Sequence, residues 1–483
     1  MENPAPLEFS VNGKIVRMGK VDPNLTVLNY LRDSDLCGTK EGCAEGDCGA
    51  CTVVVLEPDS SGNPRYSAVN SCLMLLPMAH GLELWTAEGI GSKEAPHPVQ
   101  LELGKRGGSQ CGYCTPGFVM SLFAEYYRPD RTEAQEDALV GNLCRCTGYR
   151  PIREALHALK QPQQDDIFLE RMVHSLVQKK PLESALFIRP VTLKGALKAL
   201  EHNSEARFIA GGTDLALERT TAFKDLGVLI SLEAIPELLE VVVHENRVEV
   251  GAGVTLSRLE GELEALFPLL EELWPWFASR QIRNRATLGG NLGSASPIGD
   301  ANVVLLALEA EIVLVRAGSS GLERRTLPLS EYFLSYRKTA LKQGEIIEKI
   351  VLPRLGESGT YRASPRQNWT HQAAYKVAKR GHDDISSVLG AFALELNSAG
   401  VVEKARLAYG GVAAIPARAI GTETFLEGKI WNRGTLEGAK KVLEGEFRPL
   451  SDFRASKEYR SRIIVNLLEK FFLEKSERVD LVV

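Results

Sequence analysis

The sequence predicts a multidomain α+β protein, on three observations. Eight of the nine cysteines form two quartets inside the first 146 residues, and the rest of the chain has none. Strand and hairpin patterns surround the first quartet, whereas helical stripes surround the second. Further on, two glycine-rich segments follow short apolar runs. A chain of 483 residues accommodates three or four domains at roughly 100–200 residues each. Hydrophobic content of 44% and charged content of 25% are those of an ordinary globular protein. A net charge of −5 gives no electrostatic footprint for nucleic acid. No apolar stretch approaches the ~20 residues of a membrane span.

Residues 7–89 read as a β-rich module. LEFSV and KIVRM flank Asn12-Gly13, a strong hairpin signal. In TVLNYLRDS, Val27, Leu28 and Leu31 share a helical face and Thr26 is a suitable N-cap. TVVVL (52–56) is a buried strand, and LELWTAE closes the unit. Between them Cys43, Cys48, Cys51 and Cys72 read C-x4-C-x2-C plus a distant fourth cysteine, the spacing of a plant-type [2Fe–2S] site. A sheet, one main helix and a cysteine loop suggest the β-grasp fold of a ferredoxin domain. Gly42, Gly46 and Gly49 alternate with the ligands. Backbone that must wrap a cluster and aim N–H groups at sulfur needs residues without Cβ. Zinc suits this loop poorly. Cys37 lies outside the spacing and reads as a small buried hydrophobe rather than a fifth ligand.

Residues 90–165 read as a helical bundle. Thr115 can cap a helix with Pro116 at its first position, and Phe118, Val119, Leu122, Phe123 and Tyr126 mark its apolar stripe. Cys111 and Cys114 precede that helix, and Cys144 and Cys146 precede the next, PIREALHALK. Two helix pairs joined by loops would bring these four thiolates together at one end of the bundle. Thiolates select iron–sulfur or zinc over hard cations. A [2Fe–2S] cluster is favoured here, with zinc open as the alternative. The start MENPAPLEFS has neither basic n-region nor apolar h-region, which argues against a disulfide framework and for a reducing, cytoplasmic setting.

QPQQDD (161–166) and the basic stretch after it form a linker over 166–183, with a new domain beginning at 184. A second break falls at 354–367, rich in Gly, Ser and Pro. Within 184–357, RFIAGGTDLALE (207–218) is a strand, a Gly-Gly-Thr-Asp turn and helix-forming sequence. Such a turn offers N–H groups to phosphate oxygens. ATLGGNLGSASPIGD (286–300) reads as a second loop of this kind, with Asp300 as N-cap of ANVVLLALE. Either loop alone is as well explained as a turn, and neither is a Rossmann fingerprint. Lys376, on a strand-like run, reads as a solvated lysine on the bland view and as a cation beside a flavin or phosphate on the functional one. Trp274 and Trp276 read as packing residues rather than a cofactor box, and Phe277 is ambiguous between the two.

EGCAEGDCGACTV, QCGYCTPGFVMS, GNLCRCTGYRPI, IAGGTDL and TLGGNLGSASPIGD occur in this order. With them the chain resembles, over residues 7–475, the iron–sulfur/FAD subunits of the molybdenum hydroxylase family, of the xanthine dehydrogenase type. The resemblance implies a β-grasp [2Fe–2S] domain (7–89), a helical-bundle [2Fe–2S] domain (90–165), an FAD-binding domain of the vanillyl-alcohol-oxidase and MurB-like type (184–357), and an α+β flavoprotein C-terminal domain (366–475). It carries FAD contacts onto Phe208, Ile209, Ala210, Gly211, Gly212, Thr213, Asp214 and Leu215. It does the same for Phe277, Thr287, Leu288, Gly289, Gly290, Asn291, Asp300, Ile347 and Lys376. The family's mobile loop near the flavin corresponds to 377–387. The resemblance further implies NAD as electron acceptor and a molybdopterin-binding large subunit as partner, in a heterotetramer of two small and two large chains. No residue for substrate hydroxylation is expected on this chain. The nearer rival is the same module serving a hydroxylase of aldehydes, nicotinate or carbon monoxide; the joining of iron–sulfur and FAD parts in one chain favours the xanthine dehydrogenase type, by family analogy. A non-catalytic electron carrier or zinc scaffold without flavin is the rival from another class.

Overall fold

A computed structural model describes residues 6–19, 21–59, 61–175, 177–263, 265–354 and 369–476. The expected break at 354–367 lies, from residue 355 onward, outside the described residues. The chain forms two compact units: Met1–Leu239 with Thr255–Arg258 and Ala278–Thr287, and the remainder from Glu240 to Val483.

The first unit opens with a five-stranded sheet ordered Lys14–Met18, Leu7–Val11, Glu83–Trp85, Thr52–Pro58, Pro64–Asn70. Leu7–Val11 and Glu83–Trp85 run parallel, as a β-grasp requires. Val11 pairs with Lys14, so Asn12 and Gly13 form a two-residue turn, and both hold positive φ, as a type I′ hairpin demands. Thr26 accepts from the Asn29 amide and caps the helix Val27–Asp33, whose Val27, Leu28 and Leu31 are buried.

The helical part comprises Pro98–Lys105, Thr115–Tyr126 and Arg150–Ala158, with a 3₁₀ turn at Glu136–Leu139. Cys114, not Thr115, is the N-cap of the middle helix. Thr115 is already helical and its hydroxyl donates to Ser109 Oγ instead. The linker expected at 166–183 carries a helix, Ile167–His174, capped by the Asp166 carboxylate. Its Phe168 is buried among the rings of Trp85, His97 and Phe123, with centroids 5.0, 5.7 and 5.0 Å away. One aromatic residue inside a polar stretch anchors the crossing. The unit ends in a four-stranded sheet, Leu182–Glu183, Phe187–Arg189, Leu229–Ser231, Arg207–Ile209, whose last three strands are parallel.

The second unit holds an antiparallel five-stranded sheet ordered Val241–Val243, Arg247–Gly251, Glu345–Pro353, Glu311–Gly318, Gly321–Pro328. It also holds a four-stranded meander, His371–Val377, Val388–Leu396, Val402–Gly410, Ala417–Arg418. Leu426, Leu436, Leu443, Leu468 and Phe471, from the helices Ile420–Leu426, Arg433–Leu443 and Lys457–Ser476, pack on the meander's Phe392, Leu407 and Tyr409. The helix Asp300–Ala307 is buried on every side, its apolar run from Val303 in the core and its Asp300 paired with Lys376.

Two expectations fail here for one reason. Residues 286–300 are not an extended loop, because Leu288–Ser294 is helical. Asp300 is the first residue of its helix and Gly299 is the N-cap. Glycine content reads as loop, but tertiary packing overrides propensity. A Cβ on Gly289 would lie 2.5 Å from Ala252 Cβ and 2.6 Å from its carbonyl oxygen.

Candidate redox centres and flavin-binding segments

The first quartet is built by a loop that turns through left-handed backbone at Ala44, Gly46 and Gly49. The turns aim amides at sulfur: Glu45 and Cys48 each donate to Cys43 Sγ at 3.3 Å, and Cys43 donates to Cys48 Sγ at 3.3 Å. The Cys48 side chain holds the Cys43 thiol down to about 5, against burial, with help from the Glu45, Cys48 and Asp47 amides. Gly42 serves close approach rather than a turn, since a Cβ there would lie 2.6 Å from Cys48 Sγ. Cys51 and Cys72 stand 3.3 Å apart, sulfur to sulfur, and are buried. Asn70 donates to the Gly46 carbonyl at 2.7 Å. Sequence reasoning passed over Asn70, although its place two residues before Cys72 was a signal. Cys37 is exposed, which corrects its reading as a buried hydrophobe; its sulfur only approaches the Arg32 carbonyl.

In the second quartet Cys111 and Cys146 are exposed and 3.3 Å apart. Cys114 lies against Cys144, and burial pushes its thiol up to about 12. Gly112, Gly148 and Tyr149 carry the positive φ values, and the Cys144 amide donates to Tyr149 Oη at 2.9 Å. Among the described residues no group of three or more ligand side chains closes around a single ion. The thiols meet in pairs instead, two pairs to a quartet, and four thiolates divided between two irons is the donor set of a [2Fe–2S] cluster.

In the first unit the glycine turn follows the strand Arg207–Ile209 and leads into the short helix Leu215–Thr220. Ile209 points into the core. Phe208, Ala210, Thr213 and Leu215 are partly accessible and Asp214 is exposed. Gly211 touches backbone, since a Cβ would fall 1.8 Å from the Arg285 carbonyl oxygen. Gly212 turns at φ +80 with the Leu73 carbonyl alongside. Ala216 and Leu217, just after the turn, pack in one cluster with Cys51, Cys72 and Leu73. The glycine turn and the first quartet are thus neighbours. Thr287 bridges to Thr255.

In the second unit Leu288, Gly289, Gly290 and Asn291 lie in the helix Leu288–Ser294. Ile347, buried in the strand Glu345–Pro353, is the nearest neighbour of Gly293 on that helix. Asn291 Oδ1 is buried with no hydrogen-bond partner, an acceptor that costs free energy until a donor reaches it. Lys376 is not a solvated lysine. Its ammonium pairs with the Asp300 carboxylate at 2.9 Å with both side chains about 5% exposed or less, and it donates to the Trp276 carbonyl at 2.8 Å. Ser386 donates to Asp300 Oδ1 at 2.6 Å. Phe277 is buried, tilted against Trp274. Trp276 is 43% exposed and stacks on His382 of the 377–387 loop with ring centroids 4.9 Å apart.

Four family models match in order. They are a 2Fe-2S iron-sulfur cluster binding domain at residues 9–76, a [2Fe-2S] binding domain at 86–157, an FAD binding domain in molybdopterin dehydrogenase at 180–355, and a CO dehydrogenase flavoprotein C-terminal domain at 373–475. Xanthine dehydrogenase of Emericella nidulans is 33% identical over 91% of this chain and 36% of its own length. Xanthine dehydrogenase 1 of Arabidopsis thaliana is 32% identical over 95% of this chain and 39% of its own. The chain therefore spans well under half the length of these relatives. A carbon monoxide dehydrogenase structure from Hydrogenophaga pseudoflava superimposes with a TM-score of 0.54 at 26% identity, over 62% of this chain and 99% of that one. Quinoline 2-oxidoreductase of Pseudomonas putida 86 shares the fold at a TM-score of 0.52. These matches accord with the cysteine pairs and with the glycine turn beside them: the chain belongs to the molybdenum hydroxylase family, as its iron–sulfur and FAD-binding part.

Proposed function

We propose that the chain is the electron-transfer subunit of a xanthine dehydrogenase. Bound here, two one-electron clusters and a two-electron flavin would carry electrons from purine hydroxylation at a molybdopterin centre on a partner subunit to NAD⁺. The observation that carries this reading is the graded placement of the two quartets. Cys111 and Cys146 are open to a partner, whereas Cys51 and Cys72 are buried beside the segment that follows the glycine turn. The chain's own residues would do four things. The eight cysteines ligate iron. Gly211 and Gly212 let backbone approach a pyrophosphate. Asn291 offers its unsatisfied oxygen to a cofactor donor. Asp300 and Lys376 hold a fixed buried dipole among the remaining flavin contacts, which stay those inferred above from the resemblance. The domain limits proposed are 7–89, 90–165, 184–357 and 366–475, with a cytoplasmic heterotetramer of two small and two large chains as the working assembly.

A second reading draws on the carbon monoxide dehydrogenase similarity. The same relay would then serve another hydroxylase. One experiment separates the two: the chain is purified with the large subunit that accompanies it, and NAD⁺ reduction is followed with xanthine, with carbon monoxide and with an aldehyde. Xanthine-dependent reduction supports the first reading. Activity with another substrate alone overturns the xanthine assignment and leaves the relay standing. A colourless preparation without iron or flavin overturns both.

A further inference from the structure

The two cysteine domains share a hydrophobic core, and Asn142 occupies a buried polar contact between their cysteine loops. Asn142 is 2% exposed. Its amide nitrogen donates to the Gly49 carbonyl at 3.0 Å and lies 3.3 Å from Thr52 Oγ1. Its amide oxygen accepts from Ser121 Oγ at 2.6 Å and from Gln281 Nε2 at 2.9 Å. The next residue continues the contact, because the Leu143 amide donates to the Cys48 carbonyl at 3.0 Å. Two successive residues of the second-quartet loop, directly before Cys144, therefore grip two successive carbonyls of the first-quartet loop, Cys48 and Gly49.

The surroundings are cut to fit. A Cβ on Gly49 would lie 2.1 Å from the Gly141 carbonyl oxygen, and one on Gly117 would lie 2.2 Å from the Gly49 carbonyl oxygen. A Cβ on Gly141 would lie 2.1 Å from Gln281 Oε1. Backbone approaches backbone at Gly49 and Gly117, and the Gln281 side chain closes on Gly141. Both amide hydrogens and the amide oxygen of Asn142 are engaged, while Gln281 Oε1 beside it has no partner; a buried polar network of this kind fixes geometry. Such groups behind metal ligands orient them and tune the centre.

We propose that Asn142 is a positioning residue that sets the first-quartet loop against the second, so that electron exchange between the two clusters depends on its amide. Asn142→Asp keeps the acceptor for Ser121 and Gln281 but turns a carboxylate oxygen toward the Gly49 carbonyl. Asn142→Ala removes both halves. Ser121→Ala removes one donor to Asn142 and leaves its contact with the Gly49 carbonyl in place.

The test uses the full iron-loaded chain. Iron content, paramagnetic resonance of the reduced protein, amide hydrogen exchange over residues 41–52, and the rate of electron exchange between the clusters are compared across the variants. In Asn142→Ala we expect unchanged iron, a changed magnetic interaction between the centres, faster exchange at the first-quartet loop and inter-cluster transfer slowed on the order of 10-fold. Asn142→Asp should share the defect and Ser121→Ala should show it in smaller measure. Parent-like spectra and rates in Asn142→Ala with full iron would overturn the proposal. Should that variant lose iron, Ser121→Ala decides: a shifted inter-centre interaction supports the assignment and an unshifted one rejects it.

Discussion

At the scale of single residues, buried charge is where the molecule commits most. Glu233 lies between two guanidiniums, with Arg285 Nη2 at 2.7 Å and Arg189 Nη2 at 2.9 Å, and all three side chains are buried. Burial alone would raise its carboxyl, but Arg285 first and Arg189 after it hold the group down at about 2. A carboxyl depressed in the folded state contributes stability above its ordinary value of 4.5, and that contribution is lost as pH falls toward about 2. Glu233→Gln leaves Arg189 without its carboxylate and Arg285 with only Glu57 at 3.7 Å, and should cost about 3–5 kcal/mol near neutral pH. Urea midpoints of parent and variant should therefore differ most at neutral pH and converge in acid. A gap that widened in acid would reverse the sign argued here. None of this triad was legible in the sequence, because its members are far apart along the chain and nothing local marks a glutamate as buried. The eight cysteines were legible because spacing alone carries their chemistry. Lys376 shows the middle case: its strand was readable, but its burial against Asp300 was not.

At the scale of elements, a glycine can mark close approach as well as a loop. The hairpin at Asn12-Gly13 and the cap at Thr26 were read correctly because local rules govern them. The segment 288–294 was misread as loop because its helix is fixed by contact with Ala252, which lies far from it in sequence. The helix Ile167–His174 was overlooked because only its Phe168 is buried and its polar ties, from Arg171 and Ser175 to Glu83, reach a strand far away in sequence. Gly211 is the sharpest test of approach. Its missing Cβ would sit 1.8 Å from a backbone oxygen that cannot swing aside. Gly211→Ala should displace the turn at 210–214, lowering FAD occupancy while both iron centres stay intact. Gly293→Ala is the control, since its nearest neighbour is the Ile347 methyl at 3.8 Å, and it should bind flavin as the parent does. Absorbance ratios of flavin to iron–sulfur bands read the result. Full occupancy in Gly211→Ala would make this segment an ordinary turn.

At the scale of the whole molecule, the order of parts was legible because cysteine is confined to the N-terminal third and glycine turns follow it. The way the chain folds back was not. Ala278–Thr287 belongs to the first unit, tied there by Gln281 to Asn142, by Arg283 to Asp137 at 2.6 Å and by Arg285 to Glu233. That return places Ile282 against the cluster that contains Cys51 and Cys72. Cys51 and Cys72 are thereby enclosed, Cys43 and Cys48 stay partly accessible, and Cys111 and Cys146 are the exposed end. A relay ordered this way makes a directional prediction. Under the proposed reading, in a complex with a molybdopterin-binding large subunit Cys146→Ser should abolish substrate-to-NAD⁺ turnover, because electrons would enter at the exposed pair. NADH oxidation with an artificial acceptor should persist in the same preparation, because the flavin end needs no passage through the second cluster. A serine variant that assembled and still turned over substrate with NAD⁺ near the parental rate would leave the exposed quartet a structural one. Loss of both reactions together would place the second cluster between NADH and the artificial acceptor and reverse the proposed order.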